Sequence, residues 1–273
     1  MSALHENTDS QDSRGRDSKP SGLTPVPEAE RDFLARYDAS AFPHPSVSVD
    51  VALVTASEGQ LRALLVQRDQ PPYHHHWSLP GGFVSPDESL DAAAARVLAT
   101  KAGIAKEVFL EQLYTFGQPA RDPRTRVISV AYYALVDAQR LTEARDQAAP
   151  GDVSLAPLVV PWEGEEGGLA SALDTDGAEL PLAFDHAAML GMLVKRLRGK
   201  LAYAPIGFEL LPSEFPLRAL QEVHETILGR PLNKDSFRRR MLASGRLEAT
   251  GQRERDVEHR PAALYRFSGD PVP

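Results

Sequence analysis

The hydrophobic pattern along the chain switches between two periods. Residues 46–55 (SVSVDVALVT) are β-branched and partly alternating, and 61–68 (LRALLVQR) follow across a turn containing Gly59, so the two read as a hairpin. Residues 108–116, 126–136 and the shorter 157–162 predict three further strands. Helical spacing appears at 29–37, at 86–102, and at 185–199 (DHAAMLGMLVKRLRG), where basic residues gather toward the C-terminal end and suit the helix dipole. Two stretches, 137–154 and the acidic, glycine-rich 163–179 (EGEEGGLASALDTDGAE), show no period and read as long loops. The pattern predicts an α+β fold, a mixed sheet with an inserted helix, over residues 41–205. From residue 206 to 273 the pattern becomes short helices and two short strands.

Composition narrows the class. The 273 residues include no cysteine, which excludes a disulfide scaffold and thiolate metal ligation. No run approaches the length of a membrane span, and the first residues lack the apolar core of a secretory signal, so a cytoplasmic protein with no membrane contact is expected. Residues 1 to about 28, within a tail taken as 1–40, are polar and read as disordered. The net charge of −8 argues against nucleic-acid binding until its distribution is read. From Phe208 onward 11 Lys and Arg face 10 Asp and Glu, leaving 19 against 28 in the preceding 207 residues.

One segment carries chemistry. In residues 82–104 (GFVSPDESLDAAAARVLATKAGI), Ser85 predicts an N-cap, Pro86 the first helical residue, Glu88 the reciprocal half of a capping box, and Gly103 a left-handed stop. Six positions of this segment also match the Nudix box, G-x5-E-x7-R-E-U-x-E-E-x-G-U with U a bulky aliphatic: Gly82, Glu88, Arg96, Leu98, Gly103 and Ile104, after the lead-in Trp77-Ser78-Leu79-Pro80-Gly81. The resemblance implies a Nudix fold. Three glutamates of the box are replaced by Val97, Thr100 and Lys101. Positions i, i+3 and i+4 share a helix face, where the glutamates would cluster around Mg²⁺. With valine, threonine and lysine there, metal-assisted hydrolysis is not expected: no catalytic residue, no metal and no cofactor. Lys101 is either a solvated residue at a helix end or an ammonium standing where the metal charge would be, beside a pyrophosphate. Arg121, Arg124 and Arg126 flank a turn and either clamp phosphates or pair with Asp122. His74, His75 and His76 read as a solvated loop. The expected ligand site is therefore Gly82, Glu88, Arg96, Lys101, Arg121, Arg124 and Arg126.

Residues 217–228 (LRALQEVHETIL) form an apolar stripe with Pro216 before it and Gly229 after. Asn233 then caps a second helix, 234–244 (KDSFRRRMLAS), with Phe237, Met241 and Leu242 toward the first helix and three arginines on the other side. Strands at 247–250 and 264–267 around a charged loop complete a winged helix-turn-helix, expected to touch double-stranded DNA through Lys234, Arg238, Arg239, Arg240 and, at the wing, Arg260.

The runs LAFDHAAML (182–190), RLRGKLAY (196–203), FELLPSEFPLRALQEVHETILGRPL (208–232), FRRRMLASG and RPAALYRF resemble the Nudix-related transcriptional regulators of NAD metabolism, the NrtR family. The resemblance covers nearly everything after residue 45, and the tail and the 163–179 loop read as additions to it. It implies a homodimeric repressor of NAD or pyridine-nucleotide genes, with ADP-ribose or a related nucleotide as effector and an operator as partner. The rival readings are an active Nudix hydrolase with a C-terminal oligomerisation domain, and a ligand-binding adaptor acting through protein partners.

Overall fold

The computed structural model describes residues 27–104, 108–147, 152–255 and 260–269. Nearly all of the segment read as disordered lies outside them. Residues 1–44 form one unit and 45–273 a second. In the first, helix α1 (Glu28–Arg36) has acidic residues in its first turn and buries none of its side chains.

The second unit is built on a mixed sheet. Strand β1 (Ser46–Ser57) pairs antiparallel with β2 (Gln60–Gln67), closing the hairpin at Gly59, φ 72°. The lead-in to the Nudix box supplies two short strands, β3 (Trp77–Ser78) on β2 and β4 (Gly81–Phe83) on β1. Helix α2 (Leu90–Lys101) follows, then β5 (Phe109–Phe116) and β6 (Val127–Leu135). β6 runs parallel to β1 and antiparallel to β5. Helix α3 (Ala138–Asp146), β7 (Val153–Val159) and β8 (Ser171–Ala172) give the path β5-β6-β1-β2-β7-β8. Both faces of this sheet are covered. Val49, Val51 and Leu53 of β1 pack with Ala93, Ala94, Val97 and Leu98 of α2 and Leu141 of α3. Ala52 and Val54 point the other way, to Met189, Leu190, Leu193 and Leu197 of α4 (His186–Lys200). Two-sided burial is why 46–55 reads as a nearly continuous apolar run rather than a strict alternation.

The C-terminal module begins at a 3-10 turn (Ile206–Leu210) and continues through β9 (Phe215–Pro216), α5 (Leu217–Leu228), α6 (Lys234–Ala243), β10 (Leu247–Arg253) and β11 (Ala263–Phe267). Gly229 ends α5 at φ 68°, and Asn233 caps α6 by accepting from the Ser236 amide at 3.0 Å, both as expected. Its own small core is Phe208, Phe215, Leu217, Leu220 and Phe237. The other edge of α5 enters the main core: Val223 and Ile227 pack with Ile206, Leu210 and the α4 leucines.

Several sequence expectations need correction. The α2 helix starts at Leu90, not Pro86. Ser85 is not its N-cap; Ser89 is, its hydroxyl accepting from the Ala92 amide at 3.1 Å. Residues 85–88 form a turn in which the Glu88 carboxylate does accept from the Ser85 amide, at 2.8 Å, so half of the capping box exists without the helix. The 137–154 stretch contains α3, capped by Asp137. The strand expected at 157–162 is β7, which begins at Val153 and ends at Val159. Leu242 is exposed, and the wing has three strands because β9 pairs with β11. Gly103, at φ 67°, stops α2 as expected. Among the described residues no helix is long and apolar enough to cross a membrane.

Candidate functional site

A cavity of about 320 Å³ opens beside β1 and β2, bounded by β4, the loop after β2, the 121–127 turn and the start of α4. Asp50 of β1 forms its floor and is 9% exposed. Burial alone would raise the Asp50 carboxyl, but His186, the Ser129 hydroxyl and the Arg121 charge outweigh it and hold it below the ordinary range. The Leu79 amide donates to His186 Nδ1 at 3.0 Å, so that nitrogen carries no proton. The ring proton is therefore on Nε2, 3.6 Å from Asp50 Oδ1. Backbone follows the same floor closely: a Cβ on Gly81 would lie 2.1 Å from Asp50 Oδ1, so that position requires glycine.

Arg121 is buried against this floor. It donates two hydrogen bonds to Asp185, at 2.9 and 2.6 Å, and lies 3.8 Å from Asp50. Burial opposes its charge, yet the Asp185 bonds and the Asp50 charge raise its pKa above the ordinary value. Arg124 makes a forked pair with Asp122 at 2.8 and 3.0 Å while its guanidinium lies 5.5 Å from the Phe83 ring and 5.9 Å from the Phe184 ring. Arg68 covers the Phe184 ring at 4.9 Å. Phe184 itself sits at φ 53°, a conformation rarely held by an aromatic residue without a local demand. The cavity thus offers an aromatic ring flanked by guanidinium groups, a charged floor, and the Lys101 ammonium at its wall.

Of the expected ligand residues, Gly82, Lys101, Arg121 and Arg124 line this cavity. Glu88, Arg96 and Arg126 do not. Glu88 and Arg96 form a pair, Nε to Oε2 at 2.9 Å, and Arg96 also donates to the Phe83 carbonyl at 3.0 Å, which ties β4 to α2. That pairing, first of all, holds the Glu88 carboxyl down to about 2. Arg126 donates to the carbonyls of Gly117, Gln118 and Val127 and so braces the turn between β5 and β6. Arg124 pairs with Asp122, as one of the two readings of that turn had it, whereas Arg121 pairs with Asp185; both line the cavity. Sequence reasoning missed Asp50, Arg68, Phe184 and His186. A lone aspartate inside a β-branched strand was a usable signal for Asp50; Phe184 and His186 lie in the LAFDHAAML run but carry no chemical motif.

The Nudix fold implies a divalent cation held by box carboxylates, and the residues here do not fit one. Val97 is 1% exposed, and its Cγ2 stands 3.4 Å from where a Gly82 Cβ would be. The Thr100 hydroxyl donates to the Arg96 carbonyl at 2.8 Å, within its own helix. Among the described residues no group of three or more His, Asp or Glu side chains is placed to hold a metal ion.

At the other end of the chain, Lys234, Arg238, Arg239, Arg240 and Arg260 are all exposed. Lys234 begins α6, Arg238 and Arg239 project from it, and Arg260 lies at the return of the wing before β11. Arg240 differs from its neighbours: its guanidinium turns back to 5.5 Å from the Phe237 ring.

This geometry defines a class, a Nudix-type domain fused through a shared core to a winged helix. Two family descriptions match it: the NUDIX domain over residues 44–161 and the NrtR DNA-binding winged helix domain over 207–267. The ADPR responsive transcriptional repressor NtrR of Acinetobacter baylyi is 37% identical over 242 residues, 88% of this chain and 89% of that one. The crystal structure of Shewanella oneidensis NrtR complexed with a 27mer DNA is 35% identical, with TM-score 0.67 over 81% of this chain and 93% of that one. The chain belongs to the NrtR family. A shorter similarity, 34% over 89 residues, reaches the ADP-ribose pyrophosphatase of Methanocaldococcus jannaschii and covers 33% of this chain and 50% of that one.

Proposed function

We propose that this protein is an ADP-ribose-responsive transcriptional repressor that binds operator DNA as a homodimer in the cytoplasm and controls NAD or pyridine-nucleotide genes. The observation that carries the reading is the union of a nucleotide-sized cavity, with no metal-binding carboxylate cluster among the described residues, and a winged helix whose α6 presents Arg238 and Arg239 to solvent. The Phe184 ring and Arg124 suit a nucleoside and its phosphates, and Lys101 supplies charge where the box would place a cation. Effector binding shifts the DNA-competent population because the cavity and the winged helix share one core through α4 and α5. Relatives named as repressor and as DNA complex support the reading.

A gel shift against the upstream region of the protein's own operon tests it. Specific binding should change at least about tenfold on adding ADP-ribose in EDTA, equivalent to about 1.4 kcal/mol of coupling. Half-sites should lie about one helical turn apart, or a multiple of it. Alanine at Arg238 or Arg239 should cost roughly 1–3 kcal/mol of discrimination at a defined base pair for whichever reads a base, whereas Arg260→Ala should weaken all sequences alike. Specific binding unchanged by all of these, or by ADP-ribose, would overturn the proposal. With Mg²⁺ and ADP-ribose, turnover should stay at background; robust hydrolysis abolished by Glu88→Gln would establish the hydrolase instead.

A further inference from the structure

A second cavity, of about 380 Å³, lies where the C-terminal end of α4 meets α5 and the C-terminal half of α6. Three guanidinium groups line it: Arg198 from α4, Arg240 from α6 and Arg246 just before β10. No carboxylate lines it, and among the described residues none of the three arginines makes an ion pair. Arg198 gives its hydrogen bonds to neutral carbonyls only, those of Ile227, Trp162 and Gly164 at 3.0, 3.3 and 3.0 Å. Arg246 reaches the Tyr203 carbonyl at 3.4 Å, and Arg240 faces the Phe237 ring. The fourth polar wall is His224, 7% exposed and without a carboxylate partner. Leu201, Phe208, Leu228 and Met241 are among the apolar residues of the remaining wall.

Clustered cations normally acquire acidic neighbours, because like charges held close together repel. Here Glu163, outside the crevice lining, favours the Arg198 charge, but no carboxylate lines the space shared by the three guanidinium groups. We infer that this crevice binds the phosphoryl group of a small phosphorylated molecule, held by Arg198, Arg240 and Arg246. The planar fork of arginine suits phosphate oxygens, and the apolar wall leaves room for a body attached to the phosphate. A small molecule is the occupant rather than a DNA backbone because the walls belong to different modules. Arg198 is half-buried and tied to α5 and to the chain after Trp162, while Arg240 and Arg246 belong to α6 and the approach to the wing. An anion touching both walls has to enter between them, and in doing so it fixes α6 relative to α4. The inference does not depend on the effector reading of the first cavity.

Trp162 provides the test. Its ring lies 4.9 Å from the Arg198 guanidinium, and the chain has only 2 tryptophans. The full-length Trp77→Phe protein should be titrated with inorganic pyrophosphate and, separately, with sodium chloride at matched ionic strength. Pyrophosphate should produce a saturable change in Trp162 emission with a midpoint below about 1 mM. The added pair Arg240→Gln and Arg246→Gln should raise the midpoint at least about tenfold, and Arg124→Gln in the first cavity should leave it within about twofold. A response that merely follows ionic strength overturns the inference. So does one abolished by Arg124→Gln, which would put the anion in the first cavity. A silent Trp162, with Arg240→Gln and Arg246→Gln lowering only the salt dependence of DNA binding, overturns it as well and makes these residues contacts to the DNA backbone.

Discussion

The two cavities hold similar numbers of cations and treat them differently. Around Asp50, two arginines are matched by carboxylates within the fold, Arg121 by Asp185 and Arg124 by Asp122, while half-buried Arg68 gives its hydrogen bonds to the Pro72 and Gln70 carbonyls. In the crevice between α4 and α6, Arg198, Arg240 and Arg246 have carbonyls, a ring and solvent. The first arrangement makes the cations part of the fold's stability and keeps the cavity in shape when empty. The second leaves their charge available. Paired charge builds a site; unpaired charge waits for a ligand.

The contrast is open to direct attack. The largest effect should come from Asp185→Ala, which leaves Arg121, 8% exposed, with no hydrogen-bonded carboxylate and only the more distant charges of Asp50, at 3.8 Å, and Asp122. Orphaning a buried charge of this kind costs about 3–5 kcal/mol, readable in urea unfolding, and the double change Asp185→Leu with Arg121→Met should recover much of it. A loss below about 1 kcal/mol for the single variant would show that Arg121 is solvated and the pairing incidental.

Next in size is the pH dependence set by His224. Burial, then the Arg240 charge, lowers its pKa from 6.5 to about 4. The unfolded chain therefore binds a proton there that the folded one does not, so stability is complete above pH 6.5 and falls as pH drops toward 4. The loss is up to about 3 kcal/mol. His224→Asn should remove that limb of the curve; an unchanged curve would mean the imidazole is reached by water and the crevice is less desolvated than its walls suggest.

A smaller effect is expected at Phe184. Glycine accepts its φ of 53° without strain, which offsets part of the loss of the ring contacts to Tyr73 and His186, and Phe184→Gly removes the ring that Arg68 and Arg124 approach. ADP-ribose affinity by calorimetry should fall by about 1–2 kcal/mol, the scale of lost stacking and cation–ring contact. Equal affinity would move the nucleoside away from this wall. The smallest effect should be Arg240→Gln on stability, within about 0.5 kcal/mol in urea, since no acid is orphaned. A larger destabilisation would mean Arg240 is structural and the crevice is not poised for an anion.

What could be read from the residues was whatever depends on local order. The β-branched run of β1, the Gly59 turn, the α5 stripe between Pro216 and Gly229, the Asn233 cap and the spacing of the Nudix box all rest on neighbours a few residues apart, where periodicity and capping operate. The replaced glutamates were legible for the same reason, since a helix face is fixed by spacing alone. The start of α2 was not, because Ser85 and Ser89 are equally good caps in isolation and Glu88 is drawn away by Arg96 eight residues later. The cavity floor lay further beyond reach: Asp50 meets Ser129 and His186 across 79 and 136 positions, through the parallel pairing of β1 with β6 and the docking of α4. Arg121 finds Asp185 at a separation of 64, and Arg198 finds Ile227 only after α5 has packed on α4. The sequence by itself determined the longer strands and helices, though not α3 or β9, the two modules and the loss of the metal carboxylates. Only the tertiary structure decided which arginines are neutralised, because charge compensation is a matter of distances in space that the order of residues does not contain.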